Sequence, residues 1–492
     1  MERSRLRINT ISSFFYQIVV VVCGFILPRI ILSAYGSEIN GLIGSVTQFI
    51  QVINLFDFGV TSVLAFNLFE PLANHDKKKL SGVIASGDSF FSALGKILGV
   101  YIILLSILYP LFFDNSFGFA YTTFLILIMG IDAFGRYYFG VVDRILLIAD
   151  QKNYVPYITQ SFTLIANVFV SYIIVLNGGG IHIVKFIAAL LYLIRPVFYR
   201  LYISFHYDIE RGKNEESYAL EQKWNGMAQH ISAYILENTD IIILTIWTTL
   251  ETVSIYHIYY LVISGIRGFF YAITNSISSV FGKIWAEKNY DKMRQNFLKY
   301  EMFIYMLTII VWGATSSLIV DFVDFYTKGI QDANYHQPIF GILISISAAL
   351  YCIRIPYSTM ILVTGKYKET QKIYIVSTLS NIVLSVVLVR KYGLIGVILG
   401  TILALIYQVF GMNDFVSKKL LNISVGRMVK LFCCSFMSIA LTITVLGTIY
   451  NIRTDNNIIT RMFLNTLVWG ILPLSIFVTF YYLFEKRMTD EL

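Results

Sequence analysis

Two arginines stand in the middle of long apolar runs, Arg267 in YYLVISGIRGFFYAITN and Arg354 in ISAALYCIRIPYSTM. A guanidinium keeps its charge and forks onto carboxylate or phosphate oxygens. A charge this deep in a hydrocarbon-length segment must face the interior of a helix bundle. Each arginine has polar neighbours at helical spacing: Ser264, Tyr271, Asn275 and Ser278 with Arg267, and Ser347, Tyr351 and Ser358 with Arg354, beside Pro356. A third face carries Asp132, Arg136, Gly140 and Asp143, and a fourth carries Gln48, Gln51, Asn54, Asp57 and Thr61. Arg29 follows Pro28, and a proline frees a backbone carbonyl and bends a helix. A bend there would turn Arg29 inward.

The chemistry these residues suit is the binding of an anionic, phosphate-bearing group at membrane depth. The candidate binding set is therefore Arg29, Arg136, Arg267 and Arg354, with Gln51, Asn54, Tyr271 and Asn275 supplying neutral hydrogen bonds. Asp57, Asp132 and Asp240 are candidates for ion coupling or charge pairing. Plainer roles stand beside these. A Gln/Asn stripe can tie helices together, and Asp132 and Arg136, four residues apart, can neutralise each other. Lys96 and Arg195 lie near helix ends, where long cationic side chains snorkel to the surface.

The elements that must position these side chains are transmembrane helices. Of 492 residues, 57% are hydrophobic and only 14% charged, which excludes an ordinary soluble domain. Apolar runs of about 20 residues recur along the whole chain, about fourteen in all, which predicts an all-α polytopic membrane protein. Lys and Arg concentrate in alternate loops: Arg3, Arg5 and Arg7, then Lys77, Lys78 and Lys79, then Arg144 and Lys152, and onward to Lys486 and Arg487. That bias places both termini in the cytoplasm. It also explains the net charge of +8 as topology and contact with anionic membrane lipid, so no nucleic-acid partner is expected. Four cysteines in apolar runs, six scattered histidines and the lack of a GxxxxGK[ST] or GxSxG pattern call for no cofactor, metal or serine nucleophile.

The chain also repeats itself. FNLFEPLANHDKKKL after span two resembles FGKIWAEKNYDKMRQ after span eight, pairing Phe66 with Phe281, Asn74 with Asn289 and Lys77 with Lys292. Asn167 and Ser171 of span five fall on Asn381 and Ser385 of span eleven, and Gly179 on Gly393. Six spans per copy is an even number, so both copies enter the membrane in the same sense and should relate by a pseudo-two-fold axis along its normal. The expected organisation is an N-lobe over 1–206, a cytoplasmic linker over 207–229, a C-lobe over 230–417 and two further spans over 418–492. Two such lobes without a soluble domain suit a transporter that works by alternating access around a cationic central cavity.

LFDFGVTS (55–62), DRILLIADQKNYV (143–155), ENTDIIIL (237–244), TGKYKETQ (364–371) and NIVLSVVLVRKYGLIGVILGT (381–401) together resemble the flippases of the MOP superfamily, in the branch serving polysaccharide biosynthesis. The resemblance covers both lobes. It implies a non-enzymatic flippase of the bacterial cytoplasmic membrane that exports an undecaprenyl-pyrophosphate-linked oligosaccharide for O-antigen, capsule or exopolysaccharide assembly. The glycosyltransferases and polymerase of that pathway are implied as partners. The related lipid II flippases use arginines in their first and eighth helices, which here hold Arg29 and Arg267, although no acid adjoins Arg29. A lipid II or teichoic-precursor flippase is the alternative cargo reading. A multidrug–cation antiporter would favour twelve spans and acids in the cavity, and a membrane polymerase would need larger outer loops.

Overall fold

The computed structural model describes residues 2–57, 60–113, 116–209, 211, 227–452, 468 and 472–479. Those residues form thirteen α-helices and a further helical segment at 472–479, with no β-strand. Nine helical stretches among them are long and apolar enough to cross a membrane, so the protein is an all-α, multi-pass membrane protein.

The chain divides into two compact units, Met1–Ile231 and Ser232–Leu492. Residues 212–226, most of the expected linker, lie outside the described residues. Unit 1 holds α1 (Glu2–Gln51), a 3₁₀ turn (Val52–Asp57), α2 (Val60–Ala73), α3 (Lys77–Phe112), α4 (Phe119–Gly135), a π-helical turn (Arg136–Gly140), α5 (Val141–Ala149), α6 (Tyr154–Leu176) and α7 (Ile181–His206). Within it α6 packs between α1 and α7, and α4 between α3 and α7. Unit 2 contains α9 (Leu250–Ala286), α10 (Tyr290–Tyr326), α11 (Pro338–Thr364), α12 (Tyr367–Phe415) and α13 (Gly426–Ile452), while α8 (Met227–Trp247) begins just before the boundary. There α11 is central, packed by α9, α10 and α12.

α1 and α12 are each too long for one crossing, since 30 Å of hydrocarbon takes about 20 residues. Both are interrupted by a glycine with positive φ: Gly36 (φ 83°, ψ 178°) in α1 and Gly393 (φ 51°, ψ −126°) in α12. Only glycine enters such backbone regions cheaply. Pro28, in contrast, sits inside a stretch of helical backbone. The break expected at Pro28 occurs eight residues later, at Gly36, because a proline costs one hydrogen bond whereas Gly36 leaves helical backbone altogether.

The repeat is visible in the backbone, with one correction. Lys77 and Tyr290 both start helices, 213 residues apart, as do Tyr154 and Tyr367. His75 (φ 53°) and Lys288 (φ 55°) are left-handed at the same separation. The cap residues then pair Asp76 with Asn289: Asp76 accepts from Lys79 N–H and Asn289 from Lys292 N–H, each at 3.0 Å. Matching residue letters had paired Asn74 with Asn289, two positions out of register. A helix cap needs a short side-chain acceptor and not a particular one, so the chemistry repeats where the letter does not.

A second device repeats at the same spacing. Asp88 of α3 and Glu301 of α10 are again 213 residues apart. Arg211, beyond α7, pairs with Asp88 at 2.8 Å and also with the buried Asp143 of α5. Arg427, at the start of α13, pairs with Glu301 at 3.1 Å, and Tyr357 donates to the same carboxylate at 2.7 Å. Each unit thus fastens the segment leaving its last repeat helix to a carboxylate on the third. Lys77 also pairs with Asp208 at 2.7 Å and holds that exposed carboxyl below its usual range.

Candidate functional site

In unit 2, α9 and α11 bring Arg267 and Arg354 onto one aromatic ring. The guanidinium carbons lie 3.5 and 4.2 Å from the centroid of Tyr351. Both arginines are buried, at 9% and 6% exposure. Both reach one oxygen of Glu237, on α8, at 3.6 and 4.0 Å. Arg354 Nη1 donates to Gln408 Oε1 at 2.8 Å, and Arg267 Nη2 to Tyr271 at 3.4 Å. Tyr271 and Tyr351 are hydrogen-bonded to each other. The Nε atoms of both arginines are buried without a hydrogen-bond partner. Two guanidinium groups therefore share a single carboxylate at long range, held by stacking worth about 0.5–2 kcal/mol each.

A cavity of about 30 Å³ is lined by Glu237, Arg267 and Asp240. Asp240, on α8, is 4% exposed and accepts from Tyr256 at 2.9 Å and Thr401 at 2.9 Å. Its partners are hydroxyls and not the neighbouring cation that charge pairing would supply. Asn381 donates to Thr401 at 2.9 Å, and Ser385 to the Val397 carbonyl at 3.1 Å. In unit 1 the repeat-equivalent Asn167 donates to Tyr192 at 2.8 Å and accepts from Ser171. The Asn–Ser pair found twice in the sequence is thus a helix fastener in both units.

In unit 1 the binding candidates gather differently. A cavity of about 350 Å³ is lined by Asn54 and Thr61, Asp132 and Arg136, and by Arg144 and Arg195. Tyr137, Gln160, Tyr192 and Tyr199 complete its polar wall. A neighbouring cavity of about 180 Å³ is lined by Gln51, Asn167, Lys185 and again Asp132, Arg136 and Tyr192. Asp132 and Arg136 pair at 3.5 Å, and Tyr137 donates to Asn54. Gln48 and Gln51 belong to the end of α1, and Asn54 to the 3₁₀ turn that starts at Val52.

Several expectations are corrected by this geometry. Arg195 does not snorkel: its Nε donates to Thr163 at 2.7 Å, its guanidinium lies 4.2 Å over the Tyr192 ring, and it lines the larger cavity. Asp143 is not on the cavity face; it is 1% exposed and bound by Arg211 and by Arg200 at 3.1 Å. The π-helical turn inserts extra backbone after Arg136, so Arg144 takes the cavity position that α-helical counting gave to Asp143. Arg29 is half-buried and lines neither cavity of unit 1. The side chains of Asp57 and Asn275 lie outside the described residues. Lys96 is exposed, in the middle of α3.

Sequence reading missed Lys185, Arg144, Gln408 and Glu237 as site residues. A signal for the first was present, since Lys185, Tyr192, Arg195 and Tyr199 recur at helical spacing along α7.

Neither a family model nor a curated protein matches the sequence. Solved structures do match. The lipid II flippase MurJ in its inward closed conformation aligns with a TM-score of 0.66 at 16% identity, over 98% of this chain and 99% of that one. An inward-facing multidrug resistance MATE family transporter of the MOP superfamily aligns at 0.63 and 15% identity, over 81% and 95%. A MOP superfamily transporter from Pyrococcus furiosus, described as having a binding pocket of reverse polarity, aligns at 0.57 and 13% identity, over 85% and 95%. At these identities the likeness is one of fold: the chain has the architecture of the MOP superfamily transporters.

Proposed function

We propose that this protein is a flippase that moves an undecaprenyl-pyrophosphate-linked oligosaccharide from the cytoplasmic to the outer leaflet of a bacterial cytoplasmic membrane. It acts by alternating access and without covalent chemistry, with both termini in the cytoplasm. Its cargo is built and used by the glycosyltransferases and polymerase of a surface-polysaccharide pathway. The observation that carries this reading is the larger cavity of unit 1, where Arg136, Arg144 and Arg195 face one carboxylate, Asp132. A cavity with that balance attracts phosphate oxygens and repels the cationic drugs that an antiporter of this fold would carry. Arg267 and Arg354 add a second cationic pair in unit 2, with Tyr271 beside them.

The test is complementation of a strain lacking the gene. The Arg136→Ala, Arg195→Ala double variant should reach the membrane at normal abundance yet leave lipid-linked sugar on the inner leaflet. Normal export by that variant would overturn the reading. One observation favours lipid II as the alternative cargo: the fold match to MurJ runs over 98% of the chain, whereas the MATE-type match runs over 81%. The identity of the lipid that accumulates separates the two cargoes.

A further inference from the structure

The two cavities of unit 1 are stacked along its helices. On α4 and the segment that continues it, the smaller cavity takes Met129 and Ala133, and the larger takes Tyr137, Gly140 and Arg144, further along the chain. On α7 the smaller takes Lys185, Ala188 and Ala189, and the larger takes Arg195, Pro196 and Tyr199. α6 gives Gln160 to the larger and, seven residues on, Asn167 to the smaller. All three elements give the same order. The larger cavity lies toward the end of unit 1 with the His75 and Gln151 turns, and the smaller toward the end with the Gly118 and Gly178 turns. They meet at Asp132, Arg136 and Tyr192, which line both.

We propose that these cavities are two successive anion sites, and that Arg136 passes a diphosphate from Arg144 and Arg195 to Lys185. The inference rests on the flippase reading above and assigns the path of the headgroup within it. Lys185 forms no hydrogen bond or ion pair among the described residues, although it sits one turn inside α7 in a cavity whose other charged residues are Asp132 and Arg136, already paired with each other. A cation there with no ion-pair partner of its own provides binding for an anion that arrives. Arg136 is the one cation common to both cavities, and its contact with Asp132 is long, at 3.5 Å, and partly exposed. That contact holds the guanidinium at the waist and yields to a forked contact with phosphate. The smaller cavity has about half the volume of the larger, and the diphosphate alone is assigned to it. Only the charged group follows this path, while sugar and lipid remain outside it.

The test uses the full-length protein in lipid nanodiscs, with native cysteines replaced and Ala189→Cys reporting on the smaller cavity. Inorganic pyrophosphate and farnesyl diphosphate are the two probes. Both should slow thiol labelling of Ala189→Cys. Adding Lys185→Gln should weaken that protection about tenfold, the loss of one charge-assisted contact, while Lys185→Arg keeps it. Protection by farnesyl diphosphate alone assigns the site to a lipid headgroup, and equal protection by pyrophosphate assigns it to the diphosphate itself; both support the proposal. In reconstituted vesicles Lys185→Gln should bind diphosphate lipid normally at the larger cavity but flip it at least about tenfold more slowly. Unchanged protection and unchanged flipping in Lys185→Gln would overturn the two-site path and leave the flippase reading intact. Absence of diphosphate-lipid binding to the unsubstituted protein would overturn both.

Discussion

Arg195 shows how the fate of a membrane arginine depends on what faces it. It lies in the middle of α7 and not near a helix end, and Thr163 and the Tyr192 ring hold it against a cavity. Removing it should therefore cost more than a snorkelling residue would. Arg195→Ala should weaken binding of a diphosphate lipid by roughly 30-fold, about 2 kcal/mol for one charge-assisted contact. Arg195→Lys should fall between, since it keeps the charge and loses the fork; equilibrium binding to the purified protein checks both. Asp240 gives a second prediction. Its two hydroxyl partners hold a buried carboxylate with no cation contacting it among the described contacts, the arrangement expected if it takes up a coupling ion. Asp240→Asn keeps the shape and removes the charge. Flipping by this variant should become insensitive to a proton or sodium gradient at unchanged thermal stability. Gradient-driven flipping at the normal rate would remove Asp240 from the coupling step.

At the scale of elements, the repeated fasteners carry the sharper consequences. Glu301 is 1% exposed and holds Arg427 and Tyr357 together. Arg427→Ala strands that carboxylate, a loss on the order of 3 kcal/mol for a broken buried pair. A clear drop in the midpoint of thermal unfolding should follow, and Arg427→Ala combined with Glu301→Gln should recover much of it. Failure of the second change to recover stability would show that Arg427 acts through packing. Gly36 makes a different demand, because its backbone at φ 83° and ψ 178° excludes a Cβ. Gly36→Ala should cost about 1–3 kcal/mol of strain, visible as reduced membrane abundance, whereas Gly24→Ala, with open space at its Cβ, should be near neutral.

For the whole molecule, the distribution of Lys and Arg makes a prediction that needs no knowledge of the site. Cysteines placed at Lys78 and Lys288 should be labelled only from the cytoplasm, and one at Ser116 only from outside. Labelling of Lys288 and Ser116 from one side would overturn the span count. The fold itself gathers Arg136, Arg144 and Arg195 from two separate stretches of chain in unit 1, and Arg267, Arg354 and Glu237 from three helices in unit 2. Arg267 and Arg354 were legible because a charge in the middle of an apolar run stands out by its position. Glu237 and Lys185 were not, because neither breaks a pattern until its neighbours in space are known.

Hydrophobic run length and the alternation of basic loops determined, by themselves, that this chain is an all-helical, multi-crossing protein. Both follow from local transfer energies that each segment carries wherever it packs. The repeat was legible too, since two copies of one unit keep their spacing, although the caps were needed to set the register. The tertiary structure alone decided which polar residues share a cavity. A π-helical turn exchanged Asp143 for Arg144 on the cavity wall, and contact with Thr163 and Tyr192 drew Arg195 inward. Helical periodicity fixes a residue's angle only while the winding is regular, and it holds no record of which helix lies opposite.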